Sequence, residues 1–97
     1  MSYTRVMVLE TTVPFSKVMR AVKKDAEPAL NSQVKAGNLN RWQIVQTGEK
    51  SGLIINEFDN KAQMNRYNKG VSGARQDIGD AAGAQMWAYH GTVKASG

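Results

Sequence analysis

The segment MWAYHGTVK, residues 86–94, holds the only histidine of the chain, set among aromatic residues near the C-terminus. An imidazole titrates near neutral pH, which makes His90 a candidate general acid or base. A second candidate proton carrier is the phenol of Tyr67. Trp42, Asn56, Trp87 and Arg5 add an indole, an amide, a second indole and a guanidinium, all of them donors able to hold a ligand oxygen. A mostly apolar cavity with a few such donors suits a small aromatic or polyketide-like molecule. Each residue also has a plainer reading. Tyr67 and Trp42 occupy apolar-stripe positions and read as core, Asn56 as a bridge between strands, and His90 as a polar strand residue. No carboxylate stands at a fixed spacing to orient the His90 ring.

Other chemistry is excluded more firmly. With one histidine and no cysteine, thiolate metal sites, disulfides and cysteine nucleophiles are impossible. The acidic spacings Glu57/Asp59 and Asp77/Asp80 show no calcium-loop pattern. No serine sits in a nucleophile elbow with triad partners. GVSGAR, residues 70–75, has two glycines but lacks the preceding strand that a phosphate-binding loop requires. No metal site and no bound cofactor are expected.

The elements that must position these residues follow from periodicity. YTRVMVLETTV (3–13) is rich in β-branched residues and predicts a strand. Pro14 suits a helix start, with Ser16 or Thr12 near the cap. From Phe15, the apolar residues Val18, Val22, Ala26, Ala29 and Leu30 recur at three- and four-residue steps, within about 120° of a helical wheel. A helix near 14–36 is predicted, bent or restarted by Pro28 on its solvent side and stopped by a left-handed Gly37. RWQIVQTG (41–48) and SGLIINEFD (51–59) form a hairpin across a short glycine-bearing loop. A second helix near 60–82, capped by Asp59 or Asn60, carries the stripe Met64, Tyr67, Val71, Ala74, Ile78, Ala81 and Ala82, with a break expected near Gly70–Gly73. AQMWAYHGTVKA (84–95) is the last strand.

The order β-α-β-β-α-β matches the α+β, ferredoxin-like arrangement, a four-stranded antiparallel sheet with two helices on one face. By analogy the strand order is 4-1-3-2. No internal linker or composition shift divides residues 1–97, so one domain is expected, as its length suggests. The hydrophobic fraction of 41% and charged fraction of 22% are those of an ordinary globular protein.

The N-terminus lacks a cationic segment followed by an apolar run, and no apolar stretch approaches the roughly 20 residues that span a bilayer. A cytoplasmic protein without a membrane partner is the expectation. A net charge of +5 raises the question of nucleic acid, but the cations are scattered. Only Lys17, Arg20, Lys23 and Lys24 cluster, and on a helix they sweep the side opposite the apolar stripe. A solvated face is the simpler reading of them.

Alternation assigns faces within the strands. Trp87, Tyr89, Gly91 and Val93 share one side of their strand; Met86, Ala88, His90 and Thr92 share the other. Both sheet faces carry apolar groups, whereas two helices cover only one. A homodimer packed sheet to sheet resolves this.

The segment GNLNRWQIVQTGEKSGLIINEFDNKAQMNRY (37–67) resembles the dimeric α/β-barrel superfamily, near the antibiotic-biosynthesis-monooxygenase-like proteins. As in that family, a glycine precedes a hairpin whose second strand ends acidic–aromatic–acidic, here Glu57-Phe58-Asp59, before a helix. The resemblance covers nearly the whole chain as pattern. It implies a dimeric α/β barrel and admits several activities, among them cofactor-free oxygenation of phenolic substrates, haem degradation, and stress-related roles of unknown activity. In such an oxygenation His90 or Tyr67 would exchange a proton with the phenol while Asn56 and Trp42 polarise an oxygen. Tyr67 and Met64 stand where the haem-degrading members carry a histidine and a tryptophan, which argues against haem. The alternatives are a non-enzymatic small-ligand or stress-related dimer and an RNA-binding module of the same strand–helix order. GLIINEF lacks the aromatic-rich strand pattern of the RNA-binding module, and only Phe58 could stack on a base.

Overall fold

The computed structural model describes residues 2–70 and 85–96. Strand β1 (Tyr3–Glu10) leads into a helical run made of α1 (Phe15–Ala21), a π-helical turn (Val22–Ala26) and α2 (Glu27–Lys35). The hairpin β2 (Arg41–Gly48) and β3 (Ser51–Phe58) follows, then α3 over 61–70 and β4 (Gln85–Thr92). All strand pairs are antiparallel, in the order β2-β3-β1-β4, which is the ferredoxin-like order. The continuation of α3 past residue 70, with the expected break near Gly70–Gly73, lies outside the described residues.

Local chemistry explains most element boundaries. Pro28 has no N–H, and its ring would strike the carbonyl four residues earlier in a regular α-helix. The chain answers with the π-turn just before it, where the Glu27 N–H reaches five residues back to the Val22 carbonyl. Gly37, at φ 79°, ends α2 in a Schellman motif: its N–H donates to the Val34 carbonyl and that of Asn38 to the Gln33 carbonyl. Asn60 caps α3 by accepting the Gln63 N–H at 2.9 Å.

The start of α1 departs from expectation. Pro14 is the cap residue itself, and neither Thr12 nor Ser16 provides a side-chain cap. The Phe15 N–H instead donates to the Glu49 carbonyl in the β2–β3 turn, at 2.8 Å. Thr11 ties to the same turn through its N–H and its hydroxyl, both donating to the Lys50 carbonyl. The β1 strand therefore ends at Glu10, short of the predicted residue 13.

One sheet face receives the helices. Met7 and Leu9 of β1 meet Ile54 of β3, and α1 and the π-turn lay Phe15 and Val18, then Val22 and Ala26, beside Ile44. At the other end, Leu30, Leu39, Phe58, Met64 and Tyr67 close together with Trp42 and Tyr3 at their margin. Gly52 makes the α1 contact possible: a Cβ there would lie 2.4 Å from the Phe15 ring. The cluster Lys17, Arg20, Lys23 and Lys24 is exposed, as a solvated helix face requires.

Candidate functional site

Strand pairing brings four of the candidate residues into one line. Trp42 is opposite Asn56, Asn56 opposite Arg5, and Arg5 opposite His90. Directly paired residues project to the same side of an antiparallel sheet. The row Trp42–Asn56–Arg5–His90 therefore crosses the whole helix-facing surface, from the edge strand β2 to the edge strand β4. Its centre is dry, with Arg5 at 4% exposure and Asn56 at 0%. Trp42 is half-buried and His90 exposed.

Tyr67 descends on this row from α3. The Asn56 Nδ2 donates to its hydroxyl at 3.3 Å, near the long limit for such a bond, and its ring packs edge-on against Phe58 at 5.3 Å. The Trp42 Nε1 donates to the Asn31 Oδ1 of α2 at 3.1 Å. Trp42, Met64 and Tyr67 thus belong to one filled core with Leu30, Leu39 and Phe58. The Asn56 Oδ1 is buried with no hydrogen-bond partner among the described residues.

Free space lies on the opposite flank. A cavity of about 240 Å³ is bordered by Arg5, Met7, Met86, Trp87 and Ala88. Drug-sized ligands occupy about 300–1,000 Å³, so this volume suits a molecule of one or two rings. Two methionines and an alanine supply adaptable apolar wall, and Arg5 is the charged residue on its border.

Trp87 stands apart from the row. It pairs with Val8, in a row that looks away from the helices, and is 43% exposed. It borders the cavity as part of β4, but pairing parity puts its side chain on the opposite face from Arg5, Asn56 and His90. The strand alternation had already set Trp87 on the other side of β4 from His90, so these candidates do not all share one face.

Two residues passed over in the sequence enter the geometry. The Tyr3 hydroxyl lies 2.5 Å from the Nδ1 of His90, with the rings tilted at 39° and their centres 5.7 Å apart. Tyr3 shares the odd-numbered face of β1 with Arg5, so alternation would have placed it there once the pairing of β1 with β4 was known. Gln63, 3% exposed, donates to the Gly37 carbonyl and the Asn40 Oδ1 and accepts the Asp59 N–H. Its spacing from Asn60 is that of a capping box, a signal of structure rather than chemistry. Among the described residues no three His, Cys, Asp or Glu side chains converge as metal ligands, and no helix is long and apolar enough to cross a membrane.

No protein-family model and no curated protein matches the chain. Several solved structures share its fold. A dimeric ferredoxin-like protein from an uncultured marine organism superposes with a TM-score of 0.80 at 12% identity, covering 98% of this chain and 90% of that one. SnoaB, a cofactor-independent oxygenase from Streptomyces nogalater, gives 0.77 at 11% identity over 98% of this chain and 95% of its own. A candidate antibiotic biosynthesis monooxygenase from Nitrosomonas europaea gives 0.65 at 11% identity, covering 97% and 94%. Such identities speak for the fold alone: the chain has the ferredoxin-like fold, shared with the group of structures that the 37–67 pattern resembles.

Proposed function

We propose that this chain is a homodimer, joined through the helix-free face of its sheet, that binds a small hydrophobic or phenolic molecule in a cavity of each protomer. The observation that carries the binding reading is the 240 Å³ cavity, whose Met7, Met86 and Ala88 walls meet Arg5 of the polar row. Trp42 and Asn56 hold the far part of that row, behind the filled core, and His90 its outer end.

The dimer rests on the other face. There the rows Val45–Leu53–Val8–Trp87 and Gln43–Ile55–Val6–Tyr89 are largely apolar, with Val45 39% and Tyr89 66% exposed. A second copy would cover them, and about 800 Å² per partner makes a standard interface. The chain should sediment at twice its 10.6 kDa mass, and Leu53→Glu should shift it to the monomer. A monomeric wild type at micromolar concentration overturns the dimer.

Within this reading, the activity is cofactor-free oxygenation. An ionised phenolic substrate reduces dioxygen with its own electrons; one oxygen atom is retained as a carbonyl, and the other leaves as water, taking one hydrogen from the oxidised carbon and one proton that the phenol gave up on ionising. His90 and Tyr67 are the candidate proton carriers. The engagement of Tyr67 with Asn56 and Phe58 favours a second reading, in which the cavity binds its ligand without turnover. Thermal-shift and oxygen-uptake measurements with naphthols separate the two. His90→Gln should leave the fold and dimer intact and abolish turnover or weaken binding; unchanged binding and uptake would return His90 to a structural role.

A further inference from the structure

Cations that lie scattered along the sequence are gathered by the fold. Lys17, Arg20, Lys24 and Lys35 are exposed on the first helical run, and Lys61 and Lys69 on α3. None of these side chains has an acidic partner among the described residues. Asp25 and Glu27 are the only acids in the described helices. Apart from the buried Arg5, the sheet and its turns are balanced: Glu10, Glu49 and Glu57 stand against Arg41, Lys50 and Lys94. The Arg41–Glu57 ion pair, at 3.9 Å, lies there too. Among the described residues, the excess positive charge belongs to the helical layer.

Helical geometry turns part of that layer into a ridge. Lys17, Arg20 and Lys24 fall within about 60° of one another on a wheel, opposite the buried Phe15, Val18 and Val22. Successive members are about 4.5–6 Å apart along the axis. Helix α3 lies against the same run: a Cβ at Gly70, next to Lys69, would come within 2.4 Å of the Gln33 side chain. Solvation accounts for the exposure of each lysine. It does not account for the one-sidedness, and like charges left unneutralised on one layer sum to a potential that attracts polyanions.

We infer that the helical layer is a docking surface for the phosphate backbone of nucleic acid, held by charge and indifferent to base sequence. A duplex carries one negative charge per about 1.7 Å of its axis, a density that a line of cations neutralises with release of counterions. A helix that lies in a membrane surface sets apolar residues beside its cations. Here the large exposed hydrophobics are elsewhere: Val45, Trp87 and Tyr89 project from the helix-free side of the sheet. Among the described residues Val34 is the one such side chain on the helices. The surface is independent of the cavity, and of a dimer that uses the opposite side of the sheet.

Fluorescence anisotropy with duplexes of about 20 base pairs and two unrelated sequences is the test. Both should bind with Kd of about 10⁻⁴–10⁻⁶ M at physiological salt. The logarithm of affinity should fall with that of salt at a slope of about −3.5 to −4.5, the value for about four or five phosphate contacts. Lys17→Glu/Lys24→Glu should weaken binding by about tenfold or more, since it removes two of those contacts and adds repulsion. Lys50→Glu/Lys94→Glu reaches the same net charge from the sheet side, and should weaken it by less than about threefold. All four lysines are exposed, so circular dichroism should show both variants folded.

No binding by the wild type at low salt overturns the inference, and so do equal losses in the two variants, which would trace binding to net charge alone. A preference of more than about tenfold between the two sequences overturns recognition of the backbone. Vesicles of phosphatidylserine and phosphatidylcholine supply the other polyanionic surface. Sedimentation of the chain with them, without binding to either duplex, replaces nucleic acid by lipid and overturns the choice of partner. The wild-type affinity and its salt slope decide the matter even where a variant folds poorly.

Discussion

The two halves of the helix-facing surface are built on the same sheet with opposite results. Under β2 and β3, α1 packs Phe15 beside Ile44, α2 and α3 press Leu30, Met64 and Tyr67 onto Phe58 and Trp42, and the indole and phenol are tied to Asn31 and Asn56. Along β1 and β4, Met7, Met86 and Ala88 leave a cavity, and all the paired residues of β4 except Met86 are exposed. Tyrosine, tryptophan and asparagine were candidates for chemistry, yet in the first half they complete a core. In the second half Arg5 and Trp87 join Met7, Met86 and Ala88 at the border of the cavity. The residue types do not separate the halves; among the described residues, what packs on them does.

The sharpest way to break this contrast is to truncate a large side chain in each half. Phe58→Ala should cost about 3–5 kcal/mol, because a fully buried ring leaves a void that its neighbours cannot fill. Met86→Ala should cost at most about 2 kcal/mol, since half-buried Met86 already borders space. Urea unfolding midpoints measure both, and equal losses would mean that the β1–β4 half is as tightly packed as the other.

Gly52→Ala probes the closed half from the opposite direction, by adding a methyl group. The new Cβ would sit 2.4 Å from the Phe15 ring and 3.0 Å from the Val45 carbonyl, so α1 must shift. A loss of about 1–3 kcal/mol is expected in the same unfolding experiment. A neutral result would show that α1 rides loosely on the sheet.

The smallest effect belongs to Tyr67→Phe. Packing against Phe58 survives, but the Asn56 amide loses an acceptor in a fully buried place, at about 1–2 kcal/mol. Oxygen uptake, if present, gives the second reading of this variant: a fall well beyond the stability change would move Tyr67 from the core back to the chemistry.

Alternation made the strand faces legible before any pairing was known, because side chains in a strand have a period of two. It correctly separated Trp87 from His90 within β4, and Gly37 and Pro28 declared the end and the irregularity of the first helical run. Alternation could not name partners across strands. The contact of Tyr3 with His90 joins residues at opposite ends of the chain, and the row Trp42–Asn56–Arg5–His90 appears only when register is fixed. The α1 cap was hidden for another reason: a backbone carbonyl of the hairpin turn satisfies the Phe15 N–H, and a backbone acceptor leaves no residue type to read. Trp42 was ambiguous until Asn31 and the α3 residues filled the space around it.

The π-turn at Val22–Ala26 has a consequence for sequence length. Residues 18, 22, 26 and 30 follow one another in steps of four, and in a regular α-helix each such step drifts by about 40°. Widening one turn takes up that drift and keeps Val18, Val22, Ala26 and Leu30 all buried. The run behaves as an α-helix with a single-residue insertion, and that insertion accommodates Pro28. Deleting Lys23 or Lys24, both exposed, would remove no buried contact of its own. It would restore regular geometry and bring the Pro28 ring back against the carbonyl four residues before it. In this helix an unneeded-looking surface lysine is indispensable as a unit of count.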